Sequence, residues 1–242
     1  MCATRSNAAL ALLLLAAAPA AAFDPGDMTA AERAAFGAEV RALLLEEPEI
    51  VGRALAPGPS YAEEAARDSA MLDGLAGALY DDPADYTAGA EGGTPLVAFL
   101  PAACDTCAET LAQLHAIVEE NGATRLIVKD FPASAQSSPA AAAFLTALLE
   151  DMGPKAWTQA RQALSELPDP GDRVALRRLA EAMGWPADRL MARMADGATE
   201  AVLERRRALA RELGFDVFPS YVVGGTMIRG DVPPALLARY LP

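Results

Sequence analysis

The first amphipathic pattern in the chain has helical spacing. Thr29-Ala-Ala-Glu32 matches a capping box, and an apolar stripe follows it as far as Glu47-Pro48. A second helix is predicted from Glu49 to Leu55, and a third from Tyr61 to Tyr80. The stripe of the first helix consists of Phe36, Val40, Leu43 and Leu44. An amphipathic arm of this kind buries its apolar face against the main domain or against another subunit, and the pattern leaves both open.

After the arm, the spacing of the apolar residues changes. A linker containing Gly and Pro runs from Asp81 to Thr94, and the residues from Leu96 to Leu100 are all apolar, as in a short buried strand. Helical spacing returns from Asp105 and stops at Asn121-Gly122. A second strand is then predicted from Arg125 to Phe131. This part of the chain therefore has the order strand, helix, strand.

The second half of the chain is mainly helical. Residues 139–213 carry only helical patterns, which Gly and Pro divide into segments. The stretch from Phe218 to Gly230 predicts a hairpin of two short strands joined at Gly224-Gly225. A final helix is predicted from near Val232 to Tyr240.

A Cys-x-x-Cys pair, Cys104 and Cys107, lies where the first strand gives way to a helix. The free N–H groups and the dipole of a helix start favour an anion, so the Cys104 thiolate should be stabilised. Cys107 brings a second sulfur to the same side of the first turn, where a disulfide can form and open. The pattern favours thiol–disulfide exchange, with Cys104 as the nucleophile and Cys107 as the resolving cysteine.

Two other interpretations of this pair stay open. A purely structural disulfide that closes so short a loop adds only about 2 kcal/mol of stability. Zinc normally takes four ligands, and the chain has a single histidine, His115, so we predict no metal site. Two thiolates that bind a soft ion such as Cu(I) remain an alternative.

The N-terminus matches a secretory signal peptide. Arg5 precedes an apolar run from Ala8 to Ala18, and Ala20-Ala-Ala22 supplies the small residues of a cleavage site. Cleavage after Ala22 removes Cys2 and leaves the cysteines of the Cys-x-x-Cys pair. Export to an oxidising compartment strengthens the case for thiol chemistry.

The charge of the chain excludes one large class of function. It has 20 Lys and Arg against 33 Asp and Glu, a net charge of −13. Without a basic patch we predict no nucleic-acid partner. The net negative charge bears on solubility and association with partners and gives no information about the fold.

Four stretches resemble the DsbA-type branch of the thioredoxin superfamily, in particular the exported ScsC-like and Com1-like proteins. The stretches are Cys104-Asp-Thr-Cys107 after a strand, Val128-Lys-Asp-Phe-Pro132 with Ser137-Ser138, the hairpin that begins Phe218-Pro219-Ser-Tyr, and Leu43 to Ile50 in the arm. The resemblance implies an α/β fold, a thioredoxin-like core with a helical insertion and an N-terminal helical arm.

The same resemblance implies the domain limits and the setting of the protein. The limits are 1–22 for the signal peptide, 23–94 for the arm and linker, and 95–242 for the DsbA-like domain, with its insertion at about 136–213. No cofactor is implied beyond the redox-active Cys104–Cys107 disulfide. The implied location is the periplasm. The implied partners are exported cysteine-containing proteins, a membrane redox partner and further copies of the chain through the arm.

The resemblance also assigns residues around the pair. Pro219 corresponds to the cis-proline of the family, which faces the disulfide and, with Phe218, helps bind an extended substrate strand. The sequence departs from the family at Ala98, where relatives carry a buried acid, and at Asp105-Thr106 between the cysteines. A carboxylate beside Cys104 opposes the thiolate, so Asp105 and Thr106 are predicted to tune the redox chemistry. A binding protein with slow redox chemistry is a further alternative.

The remaining polar and aromatic candidates are predicted to be structural. His115 is expected to be packed or half-exposed, and Trp157 and Trp185 to lie in the core of the helical block. Arg205-Arg-Arg207 is expected to form a solvated helix face. For Lys129, in the second predicted strand, an electrostatic role near the thiols is a minor alternative.

Overall fold

The fold is taken from a computed structural model that describes residues 28–55, 61–104, 106–132 and 139–241. The chain divides into two compact units, one up to residue 58 and one from residue 59 to residue 242. The predicted signal peptide, Asp105 and Ser137-Ser138 lie outside the described residues. In the described ranges, none of the helices combines the length and the apolar character that crossing a membrane requires.

The first unit contains the two predicted helices of the arm, α1 (Ala30–Glu46) and α2 (Pro48–Leu55). The predicted capping box is confirmed, because the Glu32 amide donates to Thr29 Oγ1 at 3.3 Å and the Thr29 amide donates to Glu32 Oε2 at 2.8 Å. The side-chain hydrogen bond from Thr29 lowers the pKa of Glu32. No residue of α1 is buried, and Phe36 in its apolar stripe is 52% exposed.

The second unit holds the other helices of the described chain. They are α3 (Tyr61–Gly74), α4 (Ala76–Tyr80), α5 (Cys107–Asn121), α6 (Pro139–Met152), α7 (Pro154–Leu164), α8 (Arg173–Ala182), α9 (Ala187–Arg193), α10 (Gly197–Glu212) and α11 (Pro234–Ala238). The helix expected from 61 to 80 is two helices, which separate after Gly74, a residue of low helix propensity. Leu72 and Leu79 are buried, so α3 and α4 pack within this unit.

Five strands form one sheet in the order β1-β3-β2-β4-β5. Their bounds are β1 (Tyr86–Gly89), β2 (Thr94–Pro101), β3 (Thr124–Phe131), β4 (Ser220–Val223) and β5 (Thr226–Arg229). β2 and β3 are parallel, and the other neighbouring pairs are antiparallel. The two strands predicted around the cysteine helix and the predicted hairpin are confirmed.

Strand β1 was not predicted, since it lies in the segment interpreted as a linker. Only four residues long, it is held by its pairing with β3, where Tyr86 faces Val128. At Gly89, φ is +89°, and a Cβ atom would come within 2.3 Å of the Thr124 carbonyl oxygen. The close approach of β1 to β3 therefore requires a glycine at this position.

The sheet separates two hydrophobic layers, and β2 contributes to both. Leu96, Ala98 and Leu100 face the layer that contains α5, α6 and α7. Val97 and Phe99 face the layer that contains α3, α4 and the end of α10. This alternation explains why the strand reads as a continuous apolar run. Trp157 and Trp185 are buried in the first layer, which confirms their predicted place in the core.

Lys129 and Arg206, for which the sequence predicted other roles, form a buried ionic cluster with Asp85. The prediction of a solvated helix face is wrong for Arg206, which is 2% exposed and ion-paired with Asp85 at 3.2 Å. The Lys129 ammonium bonds to Asp85 and donates to the Ala78 carbonyl oxygen at 2.7 Å. Burial raises the pKa of Asp85 and lowers that of Lys129. The cluster ties β3 and α10 to the segment before β1.

Candidate active site

The two cysteines meet at the end of β2 and the start of α5. Cys104 and Cys107 form a disulfide with a Cα–Cα distance of 5.2 Å. Helix α5 begins at Cys107, so Cys104 precedes the first helical residue, and the Cys107 amide donates to the Cys104 carbonyl oxygen at 3.1 Å. Free amides of the first turn lie on this side of the helix, where they favour a thiolate.

The two sulfurs differ in their exposure and in their neighbours. Cys104 is half-buried, and Thr106 Oγ1 lies 3.8 Å from its sulfur. Cys107 is 4% exposed, and its sulfur lies 3.2 Å from the Pro101 carbonyl oxygen. A substrate sulfur can therefore approach Cys104 more easily than Cys107.

A groove of about 470 Å³ opens beside Cys104. Its lining includes Phe218 and Pro219, together with Leu167 and Pro170 from the segment between α7 and α8. Polar side chains, Ser165 and Asp231, line it as well. A groove of mixed lining can accommodate an extended segment of polypeptide beside the reactive sulfur.

The expected cis-proline is confirmed, since the Phe218–Pro219 peptide bond is cis and Pro219 lines the same groove as Cys104. The ring of Phe218 stacks on Phe131 with a centroid distance of 3.9 Å. This stacking fixes the groove wall relative to the end of β3. The binding of substrate by Phe218 and Pro219 stays a prediction.

Sequence reasoning missed two charged residues behind the disulfide. Arg161, from α7, is 3% exposed and donates through Nη1 to the Pro101 carbonyl oxygen at 2.9 Å. Its Nη2 donates to Asp130 Oδ1 at 2.6 Å, and Trp157 Nε1 donates to Asp130 Oδ2 at 2.7 Å. The available signal was the charged pair Lys129-Asp130 directly after the apolar run Leu126 to Val128.

Different outcomes are found for the departure at Ala98, for the predicted tuning residue Asp105 and for the minor alternative at Lys129. Ala98 is fully buried in β2 and offers no acid. Asp105 lies outside the described residues, so its effect on Cys104 stays a prediction. Lys129 lies in the ionic cluster with Asp85, where its ammonium also bonds the Ala78 carbonyl, and does not line the groove beside Cys104.

His115 lies on α5 and is partly buried, as predicted. Its Nε2 lies 3.2 Å from the hydroxyl oxygen of Tyr86, whose ring stacks on Trp157. Burial lowers the pKa of His115, and the nearby Glu119 opposes this effect. A packed histidine with one hydrogen-bond partner fits a structural role.

The lowered pKa of His115 predicts a pH dependence of stability. Below about pH 6.5, the unfolded chain binds a proton at His115 more readily than the folded chain. The free energy of unfolding should therefore fall as the pH drops through this window, by less than about 1 kcal/mol for a half-buried group. Urea unfolding at pH 5.5, 6.5 and 7.5 should show this slope reduced in His115→Gln, which keeps an acceptor for Tyr86. Equal slopes in both proteins would contradict the prediction.

The parallel β2-α5-β3 unit, the antiparallel hairpin and the dithiol at a helix start define a thiol–disulfide oxidoreductase of the thioredoxin fold. The family model for the DSBA-like thioredoxin domain matches residues 90–242, and the chain belongs to this family.

Solved structures of low sequence identity share the fold. A linker-deletion mutant of Proteus mirabilis ScsC is 23% identical, with a TM-score of 0.60 over 90% of this chain and 97% of that one. The catalytic domain of the same protein is 23% identical, with a TM-score of 0.61 over 72% and 96%. The thiol–disulfide exchange protein alpha-DsbA2 from Wolbachia pipientis is 18% identical, with a TM-score of 0.63 over 74% and 97%. No curated protein matches the chain in sequence.

Proposed function

We propose that the chain is an exported thiol–disulfide oxidoreductase that exchanges disulfides with cysteine-containing exported proteins. The observation that carries the proposal is a disulfide in which Cys104 lines an open groove while Cys107 is buried. This asymmetry supports Cys104 as the atom that meets the substrate and Cys107 as the resolving cysteine.

The exchange proceeds in two displacements. A substrate thiolate attacks Cys104 Sγ, the Cys104–Cys107 bond breaks, and Cys107 leaves with the electron pair. A second substrate thiolate then attacks the substrate sulfur of the mixed disulfide, and Cys104 leaves as a thiolate. The substrate is oxidised and the protein is reduced. The reverse sequence reduces a substrate disulfide.

The substrate groove supports binding of an extended segment around the substrate cysteine. Phe218, Pro219 and Leu167 supply apolar contacts in the groove that Cys104 also lines. An extended segment presents its cysteine without competing secondary structure, which suits partly folded exported proteins. A membrane redox partner would use the same sulfur, because Cys104 is the more accessible cysteine of the pair.

Trapping tests the proposed substrates. Cys107→Ser cannot resolve a mixed disulfide, so it should accumulate covalent complexes with exported proteins through Cys104. These complexes should disappear on reduction, and a double variant with Cys104→Ser should form none. A Cys107→Ser protein that is exported and carries no mixed disulfides would overturn the proposed substrate class.

We propose in addition that the arm, α1 and α2, joins copies of this chain. The apolar stripe of α1 supports this, because Phe36 is 52% exposed and Leu43 is 47% exposed. The structure of Proteus mirabilis ScsC with a linker deletion resembles this chain over 90% of the length of this chain, which includes part of the arm. Several dithiols held in one assembly could retain a misfolded substrate while its disulfides are reshuffled.

Deletion of residues 23–58 should therefore convert a homo-oligomer to a monomer. The truncated protein should lose disulfide isomerase activity and keep simple dithiol oxidation, because Cys104, Cys107 and the groove lie in the second unit. Light scattering on both proteins measures the assembly, and Phe36→Ser with Leu43→Ser tests the stripe without removing the arm. A full-length monomer at micromolar concentration would contradict the arm's role in assembly and leave the oxidoreductase proposal intact.

A further inference from the structure

Arg161 lies directly behind the buried cysteine of the pair. Its side chain extends from α7, and Arg161 Nη1 donates to the Pro101 carbonyl oxygen at 2.9 Å. The same oxygen lies 3.2 Å from Cys107 Sγ. One carbonyl oxygen is therefore shared between a guanidinium group and the resolving sulfur.

Asp130 holds the guanidinium in this position. Arg161 Nη2 donates to Asp130 Oδ1 at 2.6 Å, and the second carboxylate oxygen accepts from Trp157 Nε1 at 2.7 Å. Asp130 and Arg161 are 0% and 3% exposed, respectively. In this chain of hydrogen bonds the cation comes next to the Pro101 carbonyl, and the carboxylate comes one step further away.

The shared carbonyl makes the charge of Cys107 depend on Arg161. A protonated thiol can donate to the Pro101 oxygen, whereas a thiolate faces the lone pairs of that oxygen. A cation bonded to the same oxygen withdraws electron density from it and favours the thiolate through space. Ala98 in β2 is fully buried and carries no charge, so the charges that this network brings to the Pro101 carbonyl are those of Arg161 and Asp130.

We propose that Arg161 is a positioning residue that stabilises the Cys107 thiolate through the Pro101 carbonyl, and that Asp130 moderates this effect. The inference rests on the exchange reaction proposed above. During oxidation of a substrate, Cys107 is the leaving thiolate. During reduction, Cys107 gives its proton to water, attacks Cys104 Sγ of the mixed disulfide and expels the substrate thiolate, which takes up a proton. Arg161 assists both steps because both involve a negative charge on Cys107.

Water should weaken the effect of the Arg161 charge on the ionisation of Cys107. Arg161 lines a cavity of about 160 Å³ between α5 and α7, which is large enough for water molecules that screen its charge. We therefore expect removal of the cation to raise the pH at which Cys107 ionises by about one unit. Below that pH the resolving step should slow by roughly threefold, since a less acidic thiol is a better nucleophile once ionised.

A two-phase reaction separates the two cysteines. The reduced protein is mixed with an aromatic disulfide that releases coloured thionitrobenzoate. The first phase reports attack by Cys104, and the second reports attack by Cys107 on the Cys104 adduct. In Arg161→Met, the pH midpoint of the second phase should rise by about one unit while the first phase stays unchanged. In Arg161→Lys, which keeps the charge, the midpoint should move by less than half as much.

Asp130→Asn gives the opposite sign and controls for structural damage. Removing the carboxylate leaves the guanidinium unopposed, so the midpoint of the second phase should fall. A packing defect would instead move both variants in the same direction or slow both phases. Near-UV circular dichroism verifies the fold of each variant, and the double variant Asp130→Asn/Arg161→Met avoids a buried unpaired charge.

The outcomes distinguish this inference from the proposed function. Equal midpoints in Arg161→Met and the unmodified protein, or shifts of the same sign in Arg161→Met and Asp130→Asn, would overturn the role of Arg161. Absence of the first phase, or its persistence in Cys104→Ser, would instead overturn the assignment of Cys104 as the nucleophile.

Discussion

Replacing Cys104 by serine is expected to abolish disulfide exchange, whereas Cys107→Ser is expected to react once and stop. Cys104 is half-buried and lines the groove, so its sulfur can be reached by a substrate. Cys107 is 4% exposed and lies beneath the end of β2. In single-cysteine variants, iodoacetamide near neutral pH should modify Cys104 at least about tenfold faster than Cys107.

The chain itself provides the control for this experiment. A mature protein that begins at Phe23 carries the two cysteines of the pair, and the double variant Cys104→Ser/Cys107→Ser should incorporate no label. Catalysed oxidation of a dithiol peptide should fall to the background rate in either single-cysteine variant. Faster alkylation of the variant that retains only Cys107 would show that the assignment of nucleophile and resolving cysteine is reversed.

The second large effect is expected in the ionic cluster of Asp85, Lys129 and Arg206. Arg206 Nη2 contacts Asp85 Oδ1 at 3.2 Å and donates to the Ala84 carbonyl oxygen at 2.7 Å, and Nη1 donates to Thr146 Oγ1 at 3.0 Å. In Arg206→Met these buried groups lose a partner. The free energy of unfolding should fall by about 3–5 kcal/mol, a large part of the stability of an ordinary domain.

Arg205→Met is the matched control for that prediction. Arg205 is the preceding residue of the same helix, its side chain is 56% exposed, and its ion pair with Asp82 has an N–O distance of 3.4 Å. Its loss should cost less than about 1 kcal/mol. Urea unfolding at neutral pH compares the two variants. Equal losses for Arg205→Met and Arg206→Met would mean that burial of Arg206 does not determine its contribution.

The contrast between these neighbouring arginines illustrates a limit of sequence reasoning. Helical geometry turns successive side chains by about 100°, so one residue of Arg205-Arg-Arg207 faces the protein in most orientations. Which one does so depends on what the helix packs against. Asp85, the partner of Arg206, is 121 residues away in sequence, and no local pattern marks that pairing.

Strand β1 and the Arg161 contact were not predicted from the sequence for the same reason. Tyr86 to Gly89 is too short and too close to Gly and Pro to predict a strand, and its pairing with the edge of β3 and the stacking of Tyr86 on Trp157 stabilise it. Arg161 reaches the Pro101 carbonyl across 60 residues of sequence, from a helix that by itself predicts only an amphipathic surface. Contacts of this range exist only after the chain has folded.

Other features were predicted correctly from the sequence because they depend on local chemistry. The capping box at Thr29, the apolar run of β2, the Gly224-Gly225 turn and the Cys104–Cys107 pair each depend on residues a few positions apart, so the pattern was sufficient to predict them. The tertiary structure decided which sulfur is buried and which charges lie behind it, because burial and long-range ion pairs depend on elements that the sequence brings together only through packing.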